Sequence, residues 1–142
     1  MTAIAPTGSA TTTVHPSKNL NRTLWTLQIV LGLFFIIASG LPKLVGQEDA
    51  VRIFHDIGLG EWFRYFTGVV EIAGGVGLLV PRLSGLASAG LSITVVCAAA
   101  TQAFILGAPA LAVFPLVLVV VFGWIAWQRR DSILAMREML SR

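Results

Sequence analysis

A single cysteine, Cys97, stands among 142 residues. That excludes an intramolecular disulfide, a CxxC redox pair and a cysteine-built metal centre, so any redox chemistry needs a bound cofactor or a partner's thiols. Histidine is almost as scarce. His15 lies in a polar N-terminal stretch and His55 in a connection, too few ligands for a metal site within one chain. Charge is the third shortage: only 12% of the residues are charged, against roughly 25% in soluble domains, and 56% are hydrophobic, which makes a lipid bilayer the expected solvent. The net charge of +3 comes from ten basic residues scattered between apolar runs. They form no aromatic-laced basic patch, so nucleic acid is not an expected partner and the basic residues act as topology signals.

Four apolar runs are present, at 24–41, 62–80, 86–106 and 111–127. The first extends roughly 27 Å as a helix, enough for the hydrocarbon core when its ends are anchored. Trp25 supplies an anchor, Gln28 a headgroup contact near the same interface, and Pro42 with Lys43 closes the run. The third run carries small residues on two stripes, Gly85, Ala89, Ser92, Ala99, Ala100 and Ala103 on one and Ala87, Gly90 and Thr94 on the other. Small stripes let helices approach in lipid, which predicts close packing of the second run on the third. The fourth run has no ionisable group; Pro115 falls in its first turns, and Trp124 and Trp127 form an aromatic belt before Arg129 and Arg130.

The flanking segments are polar or amphipathic. Residues 1–21 are rich in Thr, Ser, Ala and Pro without apolar periodicity and read as a disordered cytoplasmic tail, with the first run retained rather than cleaved as a leader. Between the first two runs, Val51, Phe54 and Ile57 recur at helical spacing and predict a short helix ended by Gly58 and Gly60. The neighbouring His55 and Asp56 read as a solvated pair or as part of a site mouth. Residues 130–142 set Ile133, Leu134, Met136 and Leu140 against Arg130, Arg137 and Arg142, the pattern of a basic amphipathic helix on the membrane surface.

These segments predict an all-α membrane protein, a four-transmembrane-helix bundle over residues 22–129 with a short amphipathic C-terminal helix. Lys18, Arg22, Arg82, Arg129, Arg130, Arg137 and Arg142 fall on one side, and Lys43, Arg52 and Arg64 on the other. Seven against three places both termini in the cytoplasm, an N-in/C-in topology in the cytoplasmic membrane, by the positive-inside rule.

The second run is the informative one, because Glu71 sits in its middle. On helical spacing Arg64, Thr67, Gly68, Gly74, Gly75 and Leu78 share its face, so that stripe must face protein or water rather than lipid. An ionised carboxylate at the bilayer centre costs about 2.5 to 3.5 kcal/mol on insertion scales, so Glu71 is paired or protonated. Two readings stay open. One is a group lining a ligand cavity, able to hold a polar headgroup or relay a proton; the other is helix glue bonded to Thr67, Thr94 or a backbone carbonyl. Arg64, two turns away, either reaches toward Glu71 or snorkels to the interface, and Lys43 either meets carboxylates of the connection or pairs with Glu71. Cys97, with nothing basic near it in the pattern, reads as a small buried packing residue.

Taken together, Ser39-Gly40, Lys43-Leu44, Thr67-Gly68, Glu71-Ile72, Gly74-Gly75, Leu78-Leu79 and Pro81 resemble the DoxX-like family of small four-helix membrane proteins, over roughly residues 22–129. The resemblance implies a membrane subunit associated with quinone or thiosulfate oxidation, or with a membrane-bound thiol-redox complex. Lys43 and Glu71 are the positions where that pattern meets the physical argument. Thr101 is followed by Gln102 where relatives often carry histidine, which weakens a borrowed proton-transfer or metal role at that place. The expected role is an accessory or anchoring subunit of a membrane redox system, with quinone as the implied cofactor class. Its partners would be the bilayer, a soluble or membrane oxidoreductase subunit, or further copies of the chain. The candidate ligand-binding residues are Glu71, Lys43, Thr67, Arg64 and Thr94, with no metal. A small-molecule or lipid transporter using the same cavity, and a scaffold without ligand, are the alternatives.

Overall fold

The computed structural model describes residues 16–142, so the greater part of the expected N-terminal tail lies outside the described residues. Within them the chain is helical and contains no strand. The first helix, α1, runs from Lys18 to Val45. It begins earlier than the apolar run because Ser17 caps it, its Oγ accepting from the Leu20 N–H at 3.3 Å. It also ends later. Pro42 was expected to close the segment, but the helix passes through it by widening into a π turn over Phe34–Gly40, where the Leu41 N–H reaches back five residues to the Ile36 carbonyl. A proline offers no N–H and its ring crowds the carbonyl one turn back; the wider turn accommodates both defects without ending the helix. Gly46, at φ +74°, makes the stop that proline does not.

A short helix, α2, follows at Glu48–Ile57, as the spacing of Val51, Phe54 and Ile57 predicts. Glu48 and Asp49 lie in its first turn and His55 in its last, both favourable to the helix dipole, and Gly58 at φ +78° ends it. Ala50 and Phe54 are its buried contacts, with Phe54 packed on Phe63 at 5.7 Å between ring centroids.

The next helix, α3, spans Glu61–Leu79 and buries Arg64, Gly68, Glu71, Gly75, Gly77 and Leu78. Arg64, Gly68, Glu71, Gly75 and Leu78 keep the alternating four- and three-residue spacing of the stripe expected from the sequence, turned inward; Gly77 joins them, while the expected Thr67 and Gly74 are only half-buried. Its nearest neighbour is α1 rather than the following helix. A Cβ added to Gly32 would lie 2.9 Å from the Gly75 carbonyl oxygen, and one added to Gly75 2.7 Å from the Gly32 carbonyl oxygen. Gly40 and Gly68 make the same reciprocal contact at 3.0 and 3.1 Å. Two glycine pairs thus bring the antiparallel backbones of α1 and α3 together at both ends of their crossing.

The two remaining long helices are α4, Ser84–Ile105, whose last turn is again π at Thr101–Ile105, and α5, Pro109–Gln128, which starts with a 3-10 turn. The expected contact of the second run with the third does form, Gly74 against Leu91 and Gly77 against Ala87. The buried residues of α4 are Ser84, Gly85, Ser88, Leu91, Val95 and Ala99, so of the two expected small stripes only Gly85 and Ala99 are buried, and Gly90 has nothing within 4 Å. Pro115 is buried in the first turn of the regular part of α5. By length and composition α1, α4 and α5 are apolar enough to cross a membrane. The last helix, α6, Arg130–Leu140, docks its first turn on Gly85, where an added Cβ would lie 2.6 Å from Ser132 Oγ.

Packing is uneven along these helices. Leu24, Leu78, Leu91, Phe122 and Ile125 form a solid core in the half nearest the termini, extended to mid-height by Phe35, Val95 and Leu118. Phe35 meets Phe122 edge-on at 5.4 Å, joining α1 to α5 through side chains. The other half, where α1 ends and α3 begins, is hollow.

Candidate functional site

In that hollow half Lys43 and Glu71 meet. The Lys43 Nζ donates to Glu71 Oε2 at 2.7 Å, with side chains only 17% and 9% exposed. Ser39 completes the group: its hydroxyl donates to Glu71 Oε2 at 3.0 Å, while Lys43 Nζ also donates to the Ser39 carbonyl at 3.0 Å and to Ser39 Oγ at 3.1 Å. The π turn of α1 is what makes this possible. One extra residue in a turn rotates everything after it by about 100°, and Ser39 and Lys43 come to rest on the face opposite Glu71.

Arg64 neither snorkels nor reaches Glu71. It is 2% exposed, donates from Nη1 to the Lys43 carbonyl, lies over the Tyr65 ring at 4.3 Å and keeps Nη2 3.8 Å from Glu61 Oε1. The guanidinium thereby satisfies a carbonyl left open at the end of α1 and anchors the backbone that carries Lys43. Thr67 and Thr94 were candidate partners for Glu71, and neither is bonded to it. Their hydroxyls donate to the carbonyls of Phe63 and Gly90 in their own helices, at 2.8 and 3.1 Å, because a threonine in a helix reaches its own preceding turn more easily than a neighbour. Lys43 does not meet the carboxylates of the connection; Asp49 pairs with Arg52 at 2.8 Å, and His55 lies 3.8 Å from Asp56 with both side chains mostly in solvent.

Glu71, Lys43, Ser39, Thr67 and Thr94 all border one cavity of about 650 Å³, which Arg64 does not touch. Phe35, Val70, Val95 and Leu118 supply much of its apolar wall, and Ala50, Ile53 and Phe54 of α2 close one end. Its lining also includes apolar side chains that are themselves exposed, Phe66, Ile93, Leu111 and Phe114. Cys97 borders the same cavity and is exposed, not the buried packing residue that its small size suggests. Both π turns lie along the wall, contributing Ser39 from one and Thr101 and Gln102 from the other. Among the described residues no group of three or more His, Cys, Asp or Glu side chains is placed to hold a metal ion.

A second polar cluster, at the opposite end, was missed from the sequence. Gln28 is fully buried rather than at a headgroup. Its Nε2 donates to the Leu78 carbonyl at 3.2 Å, one of the open carbonyls at the end of α3. Its Oε1 accepts from Arg129 Nε and Nη2 at 3.3 and 3.1 Å. Arg129 also lies over the Trp25 ring at 5.5 Å, and its partial burial lowers the guanidinium pKa below the ordinary value. This network ties α1, α3 and α5 together beside α6. A lone amide in an apolar run was the only signal for it.

A sequence profile of the DoxX-like family matches residues 26–125. No curated protein and no solved structure matches the chain.

Proposed function

The chain belongs to the DoxX-like family, and from that membership together with the site geometry we propose that it is a membrane subunit holding a lipophilic small molecule in the cavity beside Lys43 and Glu71. The observation that carries this reading is the cavity itself, an apolar space of about 650 Å³ bordered by a charge pair and by apolar side chains exposed on the outer surface. A ligand with a hydrocarbon body enters such a space from the bilayer without crossing water, and its head meets the polar group inside. Quinone is the first class to consider, with the protein as accessory or anchoring subunit of a quinone- or thiol-linked redox system.

We place α3 across the bilayer as well, making four crossings. Its polar groups, Arg64 and Glu71, are buried and bonded, while Trp62, Tyr65, Phe66, Val69 and Val76 cover its outer surface with apolar and aromatic atoms. Both termini are then cytoplasmic. The charge asymmetry that supports this is the distribution of basic residues, seven on the side of the termini against Lys43, Arg52 and Arg64 on the other.

The direct experiment is native mass spectrometry of the complex extracted in mild detergent. A bound quinone together with a co-purifying oxidoreductase subunit supports the redox role. A bound phospholipid or other amphiphile without such a partner favours the second reading, a lipid or small-molecule transporter, for which the exposed apolar residues bordering the cavity are the specific observation. Recovery of an empty chain from which added quinone and its hydroquinone are both excluded refutes the ligand reading and leaves a scaffold.

A further inference from the structure

The polar group at the inner wall can be counted proton by proton. A lysine ammonium has three N–H bonds, and those of Lys43 have three acceptors, the Ser39 carbonyl, Ser39 Oγ and Glu71 Oε2. The Ser39 proton also goes to Glu71 Oε2. The hydroxyl protons of Thr67 and Thr94 go to the carbonyls of Phe63 and Gly90. No donor at this wall is left for a ligand.

Acceptors remain. Both hydrogen bonds to the Glu71 carboxylate fall on Oε2, and Oε1 has no partner among the described residues. Among the described residues no buried side-chain nitrogen or oxygen lacks a partner, so Oε1 is not sealed off, and Glu71 borders the cavity. The charge of the pair is balanced, but its unused valence is an anionic oxygen. Polar groups with protons to offer, Gln47, Thr101 and Gln102, also border the cavity. Thr101 lies roughly 10 Å along α4 from Thr94, toward the end of the helix.

We infer that the site selects ligands whose head group donates a hydrogen bond, a lipophilic alcohol, phenol or hydroquinone, over a quinone or ether, which can only accept. The inference rests on the reading of the cavity as a ligand site and adds its polarity. A donor head makes a charge-assisted bond to Oε1, whereas a carbonyl placed there sets lone pairs against lone pairs. One charge-assisted hydrogen bond corresponds to about a tenfold or greater difference in Kd.

The test uses the full chain in detergent micelles and isothermal titration with four probes: 4-decylphenol, its methyl ether, a decyl-substituted 1,4-benzoquinone and the corresponding hydroquinone, the last two without oxygen. The phenol and hydroquinone should bind about tenfold tighter than the ether and quinone. Ser39→Ala frees one ammonium N–H for a ligand and should narrow the gap, and the double variant Lys43→Met with Glu71→Leu, which leaves no lone buried charge, should abolish it. Ether or quinone binding as tightly as the donors overturns this inference while leaving the ligand reading standing. Persistence of the donor preference in the double variant also overturns it. Failure of all four probes to bind removes the ligand reading on which it rests.

Discussion

Removing Glu71 alone should cost far more than removing Glu71 and Lys43 together. In Glu71→Leu the Lys43 ammonium keeps only the Ser39 oxygens, in a position where its side chain is 17% exposed. Neither member of the pair is near a third exposed, so solvent screens little of the interaction. Breaking such a pair by deleting one partner costs about 3 to 5 kcal/mol, whereas replacing both partners by apolar side chains of similar volume is often neutral or stabilising. At about 4 °C per kcal/mol for a chain of this length, Glu71→Leu and Lys43→Met should each lower Tm by about 10 to 20 °C. The double variant should melt within a few degrees of the parent. Thermal melts of the four proteins in one detergent, followed by circular dichroism, give the coupling directly. If the two single losses simply add, to within about 0.5 kcal/mol, the residues do not act as a pair and the reasoning fails.

Three further outcomes follow from the packing. Gly75→Ala pushes a Cβ to 2.7 Å from the Gly32 carbonyl oxygen and should destabilise by about 1 to 3 kcal/mol; Gly90→Ala, with nothing within 4 Å, should be neutral or stabilise by up to about 1 kcal/mol, and melts showing the reverse order would contradict the α1–α3 contact. Arg129→Ala strips both donors from the buried Gln28 oxygen and should cost about 1 to 3 kcal/mol by the same melts. An unchanged Tm would mean that Gln28 does not depend on Arg129. Cys97 should react with an apolar maleimide in native micelles without denaturant and be slowed by a cavity ligand, as mass spectrometry of the intact chain will read; labelling only after unfolding would contradict its exposure.

The inward stripe of α3 was legible because its cause is local and large. An ionised acid amid apolar residues must be sheltered, and helical spacing names which neighbours share its face, so Arg64, Gly68, Gly75 and Leu78 were found with Glu71. The short helix α2 was legible for a similar reason, its periodic apolar residues and terminal glycine lying within a few turns of one another. Partners were harder. Thr67 and Thr94 lie close to Glu71 on any helical wheel, but their own helices supply nearer carbonyls. Arg64 has a side chain long enough for several destinations, and the one it takes, the Lys43 carbonyl, belongs to a different helix.

What the order of residues determined by itself was the helical, bilayer-directed character of the chain, the sheltering of one carboxylate and the family to which it belongs, since each depends on composition or on spacing within a single run. Tertiary structure alone decided that Pro42 is passed and not obeyed, that Lys43 swings onto the face of Glu71, and that Gln28 and Arg129, 101 residues apart, share a bond. A widened turn depends on what packs beside it, and in a medium that solvates no polar atom the partner of a buried group is whichever donor the fold carries to it.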